Sequence, residues 1–242
     1  MLPKIQALID REYAAQRSDE WLALRGKMLT ASDAATAIGV NPYEKPNGLI
    51  LKKCGENKFT GNAATEHGNK YEDEAREIYC ARNNEVSHEI GLFPHPLYPW
   101  LGGSPDGITE SGKLIEIKCP MRRQILPEVP VHYMPQLQLL MEILDLDECD
   151  FIQYKPSEMT WPEPSEFVVV NVKRDREWFA EQLPVMKEFW DKVLWHRENG
   201  QLDLLRPKTR ASKGSGGSGA GAKSGASSTV SVVSPPTCEI DD

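Results

Sequence analysis

Asp106, Glu116 and Lys118 stand in the stretch GGSPDGITESGKLIEIKCP, which runs from Gly102 to Pro120. Glu116 and Lys118 are two apart among strand-forming residues, Leu114, Ile115 and Ile117. Period-2 alternation therefore sets both on one face, with Ile117 on the other. Asp106 lies on the preceding arm, across a turn at Ser111-Gly112, so a hairpin carries it next to Glu116. Two carboxylates brought together repel unless a cation sits between them. Oxygen donors of this kind suit Mg²⁺, with Mn²⁺ as a substitute. A protonated lysine does not ligate a hard metal; it holds a water or offsets charge on a phosphate. Together the three residues read as metal-assisted attack of water on a phosphodiester. The bland alternative is a solvated hairpin whose Glu and Lys face water, because P-D…E-x-K is a short pattern.

The elements that must position these residues are mixed α and β. An amphipathic helix is expected over residues 3–16, with Ile5, Leu8, Ile9 and Tyr13 on one side, and a second helix near 18–20 with Ser18 as its cap. Ser32 or Thr30 caps a third helix over 34–38, a fourth follows over 49–53, and a long one spans 62–81. Strands are expected over 86–90, 100–103, around 108, and over 114–118. A helix over 133–143 follows, then strands over 151–154 and 167–172. Pro135 is tolerated only if that helix begins near Tyr133, where no backbone donor is yet needed. The last helix, over 174–198, carries Trp178, Phe179, Met186, Phe189 and Trp190 on a broad apolar face, and Pro184 kinks or divides it. This order predicts an α/β (α+β) sheet with helices packed on it.

The whole chain bounds the answer further. Its 242 residues are 40% hydrophobic, enough for one domain with a core, expected over 1–206. Residues 207–242 are dominated by Gly, Ser and Ala and are expected to form a flexible tail. A net charge of −8 argues against nucleic-acid binding by the whole surface but leaves room for a local basic groove. The five cysteines are scattered without a C-x-x-C pair, which fits a reduced setting and lacks zinc-ribbon spacing. No apolar run approaches the ~18 residues that span a bilayer, and residues 1–17 are too charged for a signal peptide. A soluble, intracellular protein without a membrane partner is expected, in the cytoplasm or nucleus of the host cell if the source is viral. The five histidines show no paired spacing for zinc, and Cys119 is expected as a small apolar strand residue.

Four ordered blocks carry a family resemblance. SPDG…LIEIKCP resembles the PD-(D/E)XK nuclease signature, in particular that of the lambda exonuclease and YqaJ viral recombinase family. EWLALRGKMLTAS at 20–32 resembles its W-x-x-x-R…T-A-S block, and HGNKYEDEAR at 67–76 its glutamate-bearing helix, here with Ala one place early. VPVHYMPQLQ at 129–138 is similar to its Y-x-x-Q-x-Q helix. The resemblance implies a restriction-endonuclease-like core, with a central mixed β-sheet flanked by helices. It implies catalytic roles for Asp106, Glu116, Lys118, Glu72 and Gln136, and metal ligation by Asp106, Glu116, Glu72 and the backbone carbonyl of Ile117. Arg25, Ser32 and Ser104 are implied to receive a 5′-phosphate, with Tyr133 beside the DNA. Ordinary alternatives stand beside these roles: Ser32 as a helix cap, Arg25 in a surface salt bridge with Asp19 or Glu20, and acidic helix residues facing solvent. Gly68, one turn before Glu72, suggests close approach of a backbone or substrate; Gln138 is expected to be structural.

The activity implied is a Mg²⁺-dependent 5′-to-3′ exonuclease on ends of linear double-stranded DNA, in recombination, repair or viral genome processing. A single-strand annealing protein is implied as partner, and a trimeric ring with DNA through its middle as the homo-oligomer. Lys52, Lys53, Arg122 and Arg123 are candidate channel residues. Two rivals are a structure-specific endonuclease of the same superfamily and a DNA-binding module without turnover.

Overall fold

The computed structural model of the chain describes residues 1–56 and 61–206; the expected tail and Cys238 lie outside the described residues. A five-stranded mixed sheet forms the centre, in the order β2-β5-β6-β7-β8. Its strands are β2 (Ser87–His88), β5 (Gly107–Thr109), β6 (Leu114–Lys118), β7 (Glu148–Lys155) and β8 (Glu166–Lys173). β5 and β6 form the expected hairpin, with Gly107 opposite Ile115. β6 and β7 run parallel, Glu116 beside Phe151, and such a pair needs a long crossover. That crossover contains helix α6 (Met134–Leu144). A second sheet of three very short strands has the order β1-β4-β3, with β1 (Leu29–Thr30), β3 (Phe93–Pro94) and β4 (Leu101–Gly103). β1 and β3 carry no sequence signal, because two residues are too few to show a period.

Helices cover both faces of the central sheet. Ile115 and Ile117 of β6 pack with Tyr71, Ala75 and Tyr79 of helix α5 (Ala63–Asn83). Leu114, Cys149 and Phe151 face the opposite way, toward Leu137 and Leu140 of α6 and toward the last helix, α8 (Arg176–Asn199). A strand buried on both sides reads as nearly continuous apolar sequence, which is why LIEIK admits its charges only where they find partners. α8 is one continuous helix with Pro184 inside it, so the expected division does not occur. α6 begins at Met134 with Pro135 in its first turn, as the proline requires.

Three other helices shape the site. α2 (Asp19–Gly26) is capped by Ser18, whose hydroxyl accepts from the Trp21 amide. A 3₁₀ turn (Ala31–Asp33) then leads into α3 (Ala34–Ala37), and α4 (Pro46–Lys53) follows. The first helix, α1 (Pro3–Ile9), stops well short of residue 16. The Tyr13 hydroxyl donates to the carbonyls of Leu8 and Ile9 near the helix end, satisfying groups that would otherwise continue the ladder. The chain then runs on as a strap; Arg17 has a positive φ of 67°, and Gln16 donates to the carbonyls of Ile90 and Pro105 at 2.9 and 3.2 Å. That strap clamps the turn leading into Asp106. Gly103 is the other local necessity: a Cβ there would lie 2.6 Å from Leu140 and 3.1 Å from Ala31, so only glycine lets β4 pass between α6 and the 3₁₀ turn.

Candidate active site

Hairpin register makes the centre of the site. Asp106 immediately precedes β5, and its Oδ2 accepts the Ile117 amide at 2.6 Å. That single bond locks the acid beside Glu116. Glu116 is 1% exposed. Its Oε1 accepts from Gln136 Nε2 of α6 at 2.5 Å and lies 3.0 Å from Lys118 Nζ. Its Oε2 is buried with no partner. A buried carboxylate oxygen without a donor is costly, and it is the atom a cation would satisfy.

Glu72 projects from α5 toward the same space. Its two oxygens pair with Arg17 at 3.0 Å and Arg76 at 3.1 Å. Burial and then repulsion from Asp106 push the Glu72 carboxyl up to about 7, against the pull of the two arginines. Burial and Asp106 likewise push Glu116 up to about 8, despite Lys118. Asp106 is also raised, chiefly by burial. Burial acts to strip the proton from Lys118, but the Glu116 and Asp106 carboxylates outweigh it and hold the ammonium above its ordinary value. The site thus holds more negative charge than one lysine offsets. Among the described residues no three His, Cys, Asp or Glu side chains are already gathered tightly enough to grip an ion. Glu72 is turned to its arginines and Asp106 to an amide. The donor set is nonetheless all oxygen, with one orphaned carboxylate atom at its centre, and fits a hard divalent cation.

A second cluster adjoins the first. Arg25 Nη2 donates to Ser32 Oγ at 2.8 Å, and its guanidinium stacks 4.3 Å from the Trp21 ring. Trp21 Nε1 donates to Ser104 Oγ at 2.9 Å. The salt bridge from Arg25 to Asp19 or Glu20 does not form. Nor is Ser32 the cap: the Asp33 carboxylate accepts from the Thr30 amide and hydroxyl at 3.1 and 2.5 Å. That leaves Ser32 Oγ for Arg25, with Thr30 Oγ1 3.1 Å away. Asp33 in turn meets Lys53 Nζ at 2.7 Å. Burial alone would raise its pKa, but Lys53 and Arg25 hold its carboxyl below the usual range.

One cavity of about 190 Å³ gathers both clusters, lined by Asp106, Glu116, Lys118, Gln136 and Glu72 on one side and by Arg25, Ser32 and Ser104 on the other. Of the expected residues only Tyr133 and Ile117 stand apart from it. Tyr133 is 7% exposed and packs on Phe151, with Lys118 Nζ 5.2 Å from its ring, and it lines the adjoining cavity instead. The Ile117 side chain faces α5, and its amide serves Asp106.

Other expectations change. Lys53 is 9% exposed and donates to the carbonyls of Arg25 and Met28 besides pairing with Asp33, which removes it as a channel residue. Arg123 is turned inward to Gln153 at 2.7 Å. Lys52 pairs with Glu44 at 2.7 Å. A Cβ on Gly68 would meet nothing within 4 Å, so no backbone of the chain approaches there. Gln138 is structural, bridging the Lys173 carbonyl and the Asp175 amide. Cys119 is buried, its thiol pushed up to about 12 by burial and the nearby acids, and so is inert. Trp21, Arg17 and the Asp33–Lys53 pair were not foreseen as parts of the site. Only Trp21 left a signal: four residues before Arg25, it shares a helix face with it.

Comparison with known proteins places the chain. The YqaJ-like viral recombinase domain matches residues 20–147. A protein of Acanthamoeba polyphaga mimivirus is 35% identical over 162 residues, 59% of this chain and 30% of that protein. A protein of African swine fever virus is 30% identical over 161 residues, 53% of this chain and 46% of that protein. The chain thus spans less than half the length of these two curated relatives. Among solved structures, an alkaline exonuclease from Laribacter hongkongensis superposes with a TM-score of 0.64 at 26% identity, over 77% of this chain and 98% of that one. No helix among the described residues is long and apolar enough to cross a membrane.

Proposed function

The chain belongs to the YqaJ-like viral recombinase family, and from that premise we propose that it is a divalent-metal-dependent deoxyribonuclease, working as an exonuclease from the 5′ ends of linear double-stranded DNA. The observation that carries this reading is the orphaned Oε2 of Glu116, set beside Asp106 and Lys118 in the cavity that also holds Arg25, Ser32 and Ser104. The alkaline exonuclease from Laribacter hongkongensis supports it as a structural relative.

Asp106, Glu116 and the Ile117 carbonyl would hold Mg²⁺, or Mn²⁺ in its place, with Glu72 assisting. Such an ion supplies a lowered pKa for a bound water and charge neutralisation on the phosphate. The rest falls to the chain itself. Gln136 fixes the Glu116 carboxylate by donating to Oε1, which leaves Oε2 as the oxygen without a protein partner. Lys118 stays protonated between two acids, so it orients a water or a phosphate oxygen as a hydrogen-bond donor and does not act as a base. Arg25, braced flat on Trp21, presents guanidinium donors beside the Ser32 and Ser104 hydroxyls, a set suited to a terminal phosphate. That cluster favours a 5′-phosphorylated end and hence 5′-to-3′ polarity. A role in recombination beside a single-strand annealing protein, and a ring-shaped trimer, extend the same proposal.

Digestion of linear duplex labelled at the 5′ or the 3′ end, with and without a 5′-phosphate, tests it. Prompt release of the 5′ label from phosphorylated ends in Mg²⁺ is the expected outcome. Equal attack on covalently closed circles, or early loss of the 3′ label, overturns it.

A further inference from the structure

Next to the cavity of the acids lies a second, of about 320 Å³, with Arg25, Ser32, Lys118 and Gln136 as the shared wall. The rest of its lining carries three rings, Tyr43, His132 and Tyr133, beside Asp33, Glu44 and Lys52. Tyr43 and His132 meet edge to face, ring centres 5.3 Å and planes 88° apart, and His132 lies 4.2 Å from Tyr133, ring centre to ring centre. Tyr43 is held there by local chemistry. Asn41 donates from Nδ2 to Thr36 Oγ1 at 2.8 Å and accepts the Tyr43 amide on Oδ1 at 2.9 Å, an Asx turn that aims the loop. Neither Tyr43 nor His132 is used by the hydrolytic or phosphate-binding residues described above, yet both face the same wall.

The two sides of this cavity suit the two ends of one ligand. A guanidinium and a hydroxyl on the shared wall suit a phosphate; partly exposed rings opposite them suit a flat π-surface. The volume falls at the lower end of the ~300–1,000 Å³ typical of small-molecule sites. We propose that this cavity is a nucleobase subsite, in which Tyr43, backed by His132, stacks the base of the nucleotide whose 5′-phosphate lies at Arg25 and Ser32. The proposal rests on the nuclease reading and adds to it that the end is recognised by its base as well as by its phosphate. Stacking is tolerant of sequence, because every base offers a π-face, so any terminal base is accepted and an abasic end is disfavoured.

Calorimetric titration of the full chain with dAMP and with deoxyribose 5-phosphate tests this, alongside hydrolysis of linear duplex in Mg²⁺. We expect dAMP to bind about 5- to 150-fold tighter than the sugar phosphate, the range that stacking on one aromatic ring supplies. Tyr43→Ala brings that ratio toward one; Tyr43→Phe, which keeps the ring, preserves it. Equal affinities for the two compounds in the unsubstituted protein overturn the subsite even if Tyr43→Ala does not fold. So does a ratio that survives Tyr43→Ala. Hydrolysis of DNA with equal affinities removes only the base subsite, whereas absence of any hydrolysis in Mg²⁺ or Mn²⁺ removes the nuclease reading with it.

Discussion

Lys118 keeps its proton where burial alone would take it, and Glu116 tends to keep one because burial and then the Asp106 carboxylate disfavour its charge. Those two tendencies make separate predictions. Replacing Lys118 with Ala removes the donor beside the attacked phosphate. Hydrolysis of linear duplex should fall by about 10²-fold or more, while binding to a DNA end measured by fluorescence anisotropy changes little. Glu116 has a folded-state pKa raised from 4.5 to about 8. Between those values the folded chain binds more protons than the unfolded chain, so its contribution is favourable at low pH and is lost as pH rises. Metal-free protein should therefore melt at a lower temperature at about pH 8 than at about pH 5. Glu116→Gln should flatten that dependence and raise the melting temperature at the higher pH. Mg²⁺ should restore the unsubstituted protein at pH ~8 and not the variant. A melting temperature that rises with pH in chelator would contradict the crowding of acids described above.

At the scale of elements, the proposed phosphate cluster depends on a pair of which one member, Lys53, stands outside its cavity. Lys53 of α4 ties the Asp33 carboxylate to the carbonyls of Arg25 and Met28 at the end of α2. The pair thereby fixes Ser32 against Arg25. Lys53→Met leaves Asp33 with only its Thr30 bonds and the nearby Arg25, which costs about 1–3 kcal/mol. It should blunt the preference for 5′-phosphorylated ends more than it lowers the rate on unphosphorylated ones; a uniform loss on both ends would assign the pair to stability alone. Because Asp33 is held below its usual pKa, the stability from this pair is present above the unfolded value and lost as pH falls through the folded one. Gly103→Ala drives a Cβ against Leu140 and should destabilise the chain by about 1–3 kcal/mol in urea unfolding. Most elements were legible. β6 occupies the expected residues, Ser18 caps α2 as expected, and α5 begins at Ala63 with Asn62 as its cap. The misses have causes outside local sequence: α1 ends early because Tyr13 folds back on its last carbonyls, and α8 accommodates Pro184 because its apolar face is buried over the whole length.

For the whole molecule the question is how a chain of net charge −8 would meet the proposed DNA substrate. Several of its cations are committed within the fold. Arg76 pairs with Glu72, Asp73 and Glu89; Arg174 with Glu142 and Asp145; Arg197 with the carbonyls of Lys53 and Gly26. Arg25 and Lys118 line the cavity and are the cations proposed to meet phosphate. Few phosphates per chain are then neutralised, and affinity for a DNA end should fall with salt with a log–log slope shallower than about −4 per chain. Titration of the unsubstituted chain in chelator with labelled duplex between ~50 and ~200 mM salt measures it. A slope near −10 would require a much larger basic surface than the described residues offer.

By itself the sequence determined what is close along the chain. The SPDG turn and LIEIK strand had to bring Asp106 to Glu116, because a hairpin of that length has one compatible register and alternation then places Lys118 beside them. The tertiary structure decided what is distant. Glu72, 34 residues before Asp106, reaches the site because α5 packs on the face of β6 opposite to α6. Trp21 joins Arg25 to Ser104 because β1 pairs in parallel with β4. The same sheet and helices bury Glu116 until one of its oxygens has no donor. Burial and missing partners are properties of a packed interior, and no spacing along the chain records them.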